Sequence, residues 1–89
     1  MKRIFKYELE VTDTQTVTMP MNAIVLSVVN QNESMMMYAL VDDDVVETEG
    51  IEFIVHGTFH PSDDVIDTRF VSTVLFRNGS LVFHVFTNG

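Results

Sequence analysis

The stretch Arg69-Phe70-Val71-Ser72-Thr73-Val74-Leu75-Phe76-Arg77-Asn78-Gly79-Ser80-Leu81-Val82-Phe83-His84-Val85-Phe86 decides the fold class. Asn-Gly adopts the two positive φ angles of a type I′ turn with little strain, and the twist of that turn suits antiparallel strands. The flanking residues, rich in Val, Phe and Thr, favour a pleated surface. A two-residue turn also sets the register: Arg77 opposite Ser80, Phe76 opposite Leu81, Val74 opposite Phe83 and Thr73 opposite His84. One face then carries Phe70, Val74, Phe76, Leu81, Phe83 and Val85, and the other Val71, Thr73, Leu75, Val82, His84 and Phe86. Both faces are largely apolar. A single sheet covers only one, so the second requires a curled sheet, a barrel or another subunit.

Upstream of the hairpin the same period of two continues, with no sustained helical period. Arg3–Val11 alternates Phe5, Tyr7, Leu9 and Val11 with Lys6, Glu8 and Glu10, giving a first strand with one solvated face. Gln15-Thr16-Val17-Thr18 forms a short second strand closed by Pro20, which cannot donate to a ladder. Ala23–Val29 is nearly continuous in apolar character and is expected to be covered on both faces. A turn at Asn30–Ser34 leads back through Met35–Val41 as an antiparallel hairpin. Asp42–Gly50 is acidic and reads as a solvated excursion. Ile51–Phe59 is the next strand, in which Gly57 suggests a bulge or a close backbone approach, and Ser62 is placed to cap a single helical turn through Val65 and Ile66. The expected fold is all-β: a single domain, 1–89, forming a small antiparallel sandwich or partly open barrel of six or seven strands.

Charge is distributed unevenly. The basic residues Lys2, Arg3, Lys6, Arg69 and Arg77 lie near the ends, while all 13 carboxylates fall between Tyr7 and Thr68, where there is no Lys or Arg. The formal net charge of −8 opposes approach to phosphates, so direct nucleic-acid binding is excluded as an expectation. There is no cysteine, hence no disulfide frame and no thiolate chemistry, and a reducing cytoplasm is the default compartment. Apolar runs such as Ala23–Leu26 fall far short of the ~20 residues that span a bilayer, and Met1-Lys2-Arg3 is not followed by a leader-like apolar core. No membrane association is expected.

The chemistry-bearing residues are few. His56 and His60, with His84, are the one plausible metal constellation, but in a regular strand His56 and His60 stand about 13 Å apart, too far to share an ion unless a bulge at Gly57 folds them together. His84 reads instead as a half-buried histidine bonded to a carbonyl or to Thr73 across the hairpin. Asp42-Asp43-Asp44 lacks the spacing of a calcium loop. Ser27, Ser34, Ser62, Ser72 and Ser80 lack a nucleophile motif, and no glycine-rich phosphate loop exists. The expectation is therefore no enzyme, no catalytic residue, no metal and no cofactor. Met35 and Met37 share one strand face and Met36 takes the other, which suits core filling together with part of an oligomer interface.

Several ordered blocks carry a resemblance. Lys6-Tyr7-x-Leu9, Thr12-Asp13-x-Gln15-Thr16, Met19-Pro20, Ala23-Ile24-x-Leu26-Ser27-Val28, Tyr38-Ala39-Leu40-Val41-Asp42, Gly57-Thr58-x-His60-Pro61 and Gly79-Ser80-Leu81-Val82-Phe83-His84-Val85-Phe86 resemble a family of short phage-encoded proteins of uncharacterised function. The chain departs from that pattern at Tyr38, where a Trp is common, and at Phe59, where a Gly is common. The resemblance implies expression in the cytoplasm of an infected bacterial host, and it transfers no catalytic residue.

Acidity gives the functional expectation its sign. A duplex carries one charge per ~1.7 Å of axis, and carboxylates spread over a rigid surface can occupy the basic groove of a nucleic-acid-binding protein. Glu8, Glu10, Asp42, Asp43, Asp44, Glu47 and Glu49 are the expected partner-binding residues. The expected partner is a basic host protein, for example a nucleoid-associated one, inhibited by DNA-like charge mimicry. Self-association into a homo-oligomer, most simply a dimer, is expected to close the second hairpin face. The alternative function is a homo-oligomeric module that sequesters a small nucleotide-like ligand in anti-defence.

Overall fold

The computed structural model describes residues 1–89 as seven strands: β1 (Lys2–Leu9), β2 (Thr14–Pro20), β3 (Ile24–Gln31), β4 (Ser34–Asp42), β5 (Thr48–Gly57), β6 (Arg69–Phe76) and β7 (Leu81–Thr87). They form a three-stranded sheet of order β1-β4-β3 and a four-stranded sheet of order β2-β5-β7-β6. Every pairing is antiparallel. The sheets pack face to face as a sandwich, not a closed barrel, and the shortest extent of the molecule, 15 Å, accommodates two layers spaced by ~10 Å. No helix is long and apolar enough to cross a membrane.

Alternation builds the core. On β4, Met35, Met37, Ala39 and Val41 are buried, while Met36, Tyr38 and Leu40 face outward, as the period of two requires. They meet Phe53 and Val55 of β5, Val74 and Phe76 of β6, and Val85 of β7. The alternation of β3 is sharper than its sequence suggests: Val25 and Val28 are buried, but Ile24, Leu26 and Val29 are exposed. Only one face of β3 is covered, which corrects the expectation drawn from its continuous apolar run. The acidic excursion also proves shorter, because Thr48, Glu49 and Gly50 already pair with Pro20, Met19 and Thr18.

The β6–β7 hairpin has the expected register at Thr73–His84, Val74–Phe83 and Phe76–Leu81. Asn78 lies at φ 55° and ψ 33°, Gly79 at φ 89°, and the Ser80 amide donates to the Arg77 carbonyl at 3.2 Å, which defines the turn. Beyond Ser72 the expectation fails. A bulge between Phe70 and Ser72 shifts the register, so Phe70 stands opposite Phe86 with ring centroids 5.6 Å apart, and Val71 turns toward the core instead. Phe70 and Val71 thus exchange the faces that uninterrupted alternation assigns them. Gly57, by contrast, sits in regular ladder pairing opposite Phe83, and a Cβ there would meet only the Val82 carbonyl at an ordinary 3.9 Å, so neither a bulge nor a close approach occurs there.

A second bulge, between Val25 and Ser27 of β3, lies at the facing edge of the other sheet. No backbone ladder joins β3 to β6. Side chains close the seam: the Val28 amide donates to Ser72 Oγ at 3.0 Å, and Asn30 Nδ2 donates to the Leu75 carbonyl at 2.9 Å. Bulged edges of this kind stop the sandwich from closing into a barrel.

The β5–β6 connection, residues 58–68, leads past β7, which lies between the two strands it joins. Ile54 and His56 alternate away from the core side chains Phe53 and Val55, yet both are 3% exposed. Asp64 of this connection hydrogen-bonds His56. The chain's own connection therefore covers part of the outer face, while Phe70 and Leu75 farther along remain exposed. Asp63–Val65 forms a 3₁₀ turn, but Ser62 does not cap it and donates to the His60 carbonyl instead.

Candidate functional site

The expected partner-binding carboxylates fall into two groups at opposite ends of the three-stranded sheet. β1 and β4 run antiparallel with Glu8 opposite Met36 and Lys2 opposite Asp42, a separation of roughly 20 Å at ~3.4 Å per residue. At one end stand Glu8 and Glu10, the latter fixed through its main chain, which both donates to and accepts from the Gln15 amide. Glu33 joins them from the β3–β4 turn, held at φ 63° with its amide bonded to Asn30 Oδ1 at 2.8 Å. At the other end stand Asp42, Asp43 and Asp44, followed by Glu47 and Glu49 where the chain passes to the second sheet.

These groups differ in free charge. The Met1 amino group meets Asp42 Oδ1 at 3.0 Å and Asp43 Oδ1 at 3.1 Å and also bonds Asp44, while Arg3 donates to Asp43. Hydrogen bonds to Asp44, Asp42 and Asp43 push the Met1 amino group up to about 11. In turn, Asp42 is held below the usual carboxylate range by the Asp44 amide and the Met1 amine, and Asp43 by Arg3 and the same amine. Glu8, Glu10, Glu33, Glu47, Glu49, Glu52, Asp63 and Asp67 have no ion-pair partner at all. The free field is thus carried by glutamates more than by the aspartate run.

A second constellation was hidden by sequence distance. His56 and His60 do not lie along one extended strand. β5 ends at Gly57, the His60 amide donates to the Gly57 carbonyl at 3.1 Å, and Phe59 takes φ 72°, so the chain reverses and stacks the two imidazoles with centroids 4.4 Å apart. The 13 Å expectation is therefore overturned by a turn just beyond Gly57. Asp13 joins from the β1–β2 connection, its carbonyl accepting from the Val55 amide at 3.1 Å. Asp13 Oδ1 lies 4.0 Å from His56 Nδ1 and 3.9 Å from His60 Nε2. Asp13 and Asp64 were not legible as members, since only the fold brings the two connections to the same end of β5. The His60-Pro61 sequence, which argues against continuing the strand, was the one available signal for the turn. His84 takes no part: its ring bonds Thr73 at 3.0 Å across the hairpin, as expected, and Thr58 at 2.8 Å.

An open cleft of about 470 Å³ between the tips of the two hairpins is lined by Val11, Phe76, Leu81, Phe83, Glu33 and Arg77. Its single cation shares the cleft with a carboxylate, a poor arrangement for phosphate groups.

The fold and these side chains define the class: an all-β, two-sheet sandwich with acidic ends and a compact histidine–aspartate cluster. The chain belongs to the family described as a domain of unknown function, DUF7352, which matches it over residues 1–89. No curated protein and no solved structure matches the chain.

Proposed function

We propose that this chain is a non-enzymatic, phage-encoded interaction protein that acts in the cytoplasm of the infected bacterium and blocks a basic host protein by occupying its nucleic-acid site. The observation that carries this reading is the set of unpaired glutamates at the two ends of the three-stranded sheet: Glu8, Glu10 and Glu33 at one, and Glu47 and Glu49, on the connection into β5 and at its start, beside the other. The backbone that carries most of these charges is already ordered in strands and tight turns, so binding a basic groove requires side-chain ordering but little backbone ordering. A homodimer would extend the acidic surface. The outer row of exposed Ile4, half-buried Leu40 and exposed Ile24, consecutive across all three strands, supplies an apolar face for it.

The test is capture from nuclease-treated bacterial lysate at low and raised salt. The expected result is a basic protein that is released at high salt and that binds either DNA or this chain, not both. A captured partner that holds DNA and this chain together would refute mimicry. Light scattering is expected to give twice the 10.1 kDa chain mass, and a monomer would remove the dimer.

A further inference from the structure

His56 is, with Thr87, one of two buried polar side chains of the molecule. It is 3% exposed, and its Nε2 contacts both oxygens of Asp64, at 2.8 and 3.1 Å. A carboxylate accepts, so Nε2 carries the proton, and in the neutral ring Nδ1 is then a bare lone pair. That Nδ1 is buried with no hydrogen-bond partner. A buried polar atom without a partner is destabilising, and the groups the fold gathers nearest to it are a carboxylate, which only accepts, and a second imidazole. Asp13 Oδ1 at 4.0 Å is too far to bond it directly.

We propose that Asp13, His56 and His60 bind one divalent transition-metal ion of the zinc class, with Asp64 as a positioning residue. The donor set is right for such an ion: two imidazole nitrogens and one carboxylate oxygen, with zinc bonds of roughly 2.0–2.2 Å. Tetrahedral geometry with such bonds sets neighbouring donors about 3.3 Å apart. The observed separations of 4.0 and 3.9 Å close to that value with shifts of a few tenths of an ångström on each side. Such movement is available, because Asp13 and His60 have side chains 76% and 44% exposed, whereas His56 is fixed. Asp64 completes the arrangement commonly found behind metal-bound histidines, a carboxylate that fixes tautomer and ring orientation and raises ligand basicity. The exposed side of the cluster leaves a fourth coordination position for water or for a side chain of a partner.

The ion would join three separate segments: the β1–β2 connection, the end of β5 and the β5–β6 connection. Binding is therefore read in stability as well as in stoichiometry. Tag-free protein stripped with chelator is titrated with Zn²⁺ alone by calorimetry and by thermal unfolding. The expected result is one ion per chain, with a melting temperature raised by roughly 10–20 °C at a hundredfold excess over the dissociation constant.

His60→Ala is expected to leave the metal-free melting temperature nearly unchanged, since the residue is exposed, and to abolish the shift. Asp64→Asn is expected to weaken binding about 10–100-fold, with partial rescue by Asp64→Glu. His84→Gln is expected to retain full binding. No saturable one-to-one binding, or Zn²⁺ binding that survives both His60→Ala and Asp13→Asn, would overturn the proposal. In the first of those outcomes the acceptor at His56 Nδ1 is served by water.

Discussion

Phe53→Ala is expected to lower stability by about 3–5 kcal/mol, the range for deleting a fully buried aromatic side chain. Phe53 is 0% exposed and sits on β5, which is flanked by β2 and β7, with Gln15 and Thr87 as its cross-strand partners. Its ring points between the sheets, where Met19, Met37, Val74 and Val85 belong to the same core. Flexible methionines can relax into part of the cavity, but β5 is held on both sides by backbone ladders and cannot follow. A chain of 89 residues has a total stability of about 4–13 kcal/mol at roughly 0.05–0.15 kcal/mol per residue. The substitution removes much of that.

Urea unfolding should show the midpoint falling sharply with little change in slope. Phe59→Ala is the matched control. That ring is fully exposed and its backbone lies at positive φ, so its removal should be neutral within about 0.5 kcal/mol or slightly stabilising. Equal losses at the two positions would mean that the core is not centred on β5.

Replacing Glu8, Glu10, Glu47 and Glu49 together with Gln is expected to slow association with a basic partner by tenfold or more at low ionic strength. The net charge moves from −8 to −4 with the loss of four carboxylates. None of the four side chains is buried and none has an ion-pair partner, so the fold should keep its stability. At physiological salt the Debye length is ~8 Å, much shorter than the distance between the two ends of the sheet, and the difference between variant and parent should narrow.

Asp42, Asp43 and Asp44 are the less informative targets. Changing them removes charge and also the contacts with the Met1 amine and Arg3, so a loss of binding would have two explanations. Stopped-flow association at two salt concentrations decides the matter. Identical rates for the glutamate variant and the parent would show that the acidic ends play no part in encounter.

By itself the sequence determined whatever depends on neighbours along the chain. Asn78-Gly79 fixed a turn and a register, because few residues accept two consecutive positive φ angles. Strict alternation put Met35 and Met37 on one face and Met36 on the other, and the structure turns the first face inward. The excess of carboxylates over cations fixed a surface with unpaired charge, since five basic residues cannot neutralise 13 acids.

Only the tertiary structure decided what depends on contacts between distant segments. Backbone ladder bonds are nearly the same for any sequence, so alternation names a strand's faces without naming its neighbours. It could not show that β1 leaves β2 for β4, or that β7 inserts between β5 and β6. The bulges at Leu26 and Val71 arise where two sheet edges meet, and the second changed the face of Phe70. The histidine cluster is the clearest case. His56 and His60 share an end of β5 because Phe59 accepts a left-handed turn, Asp13 reaches them through a backbone bond to Val55, and Asp64 arrives by the connection that crosses the sheet. Each of these placements is set by packing on a surface assembled from remote parts of the chain, and local propensity does not encode such a surface.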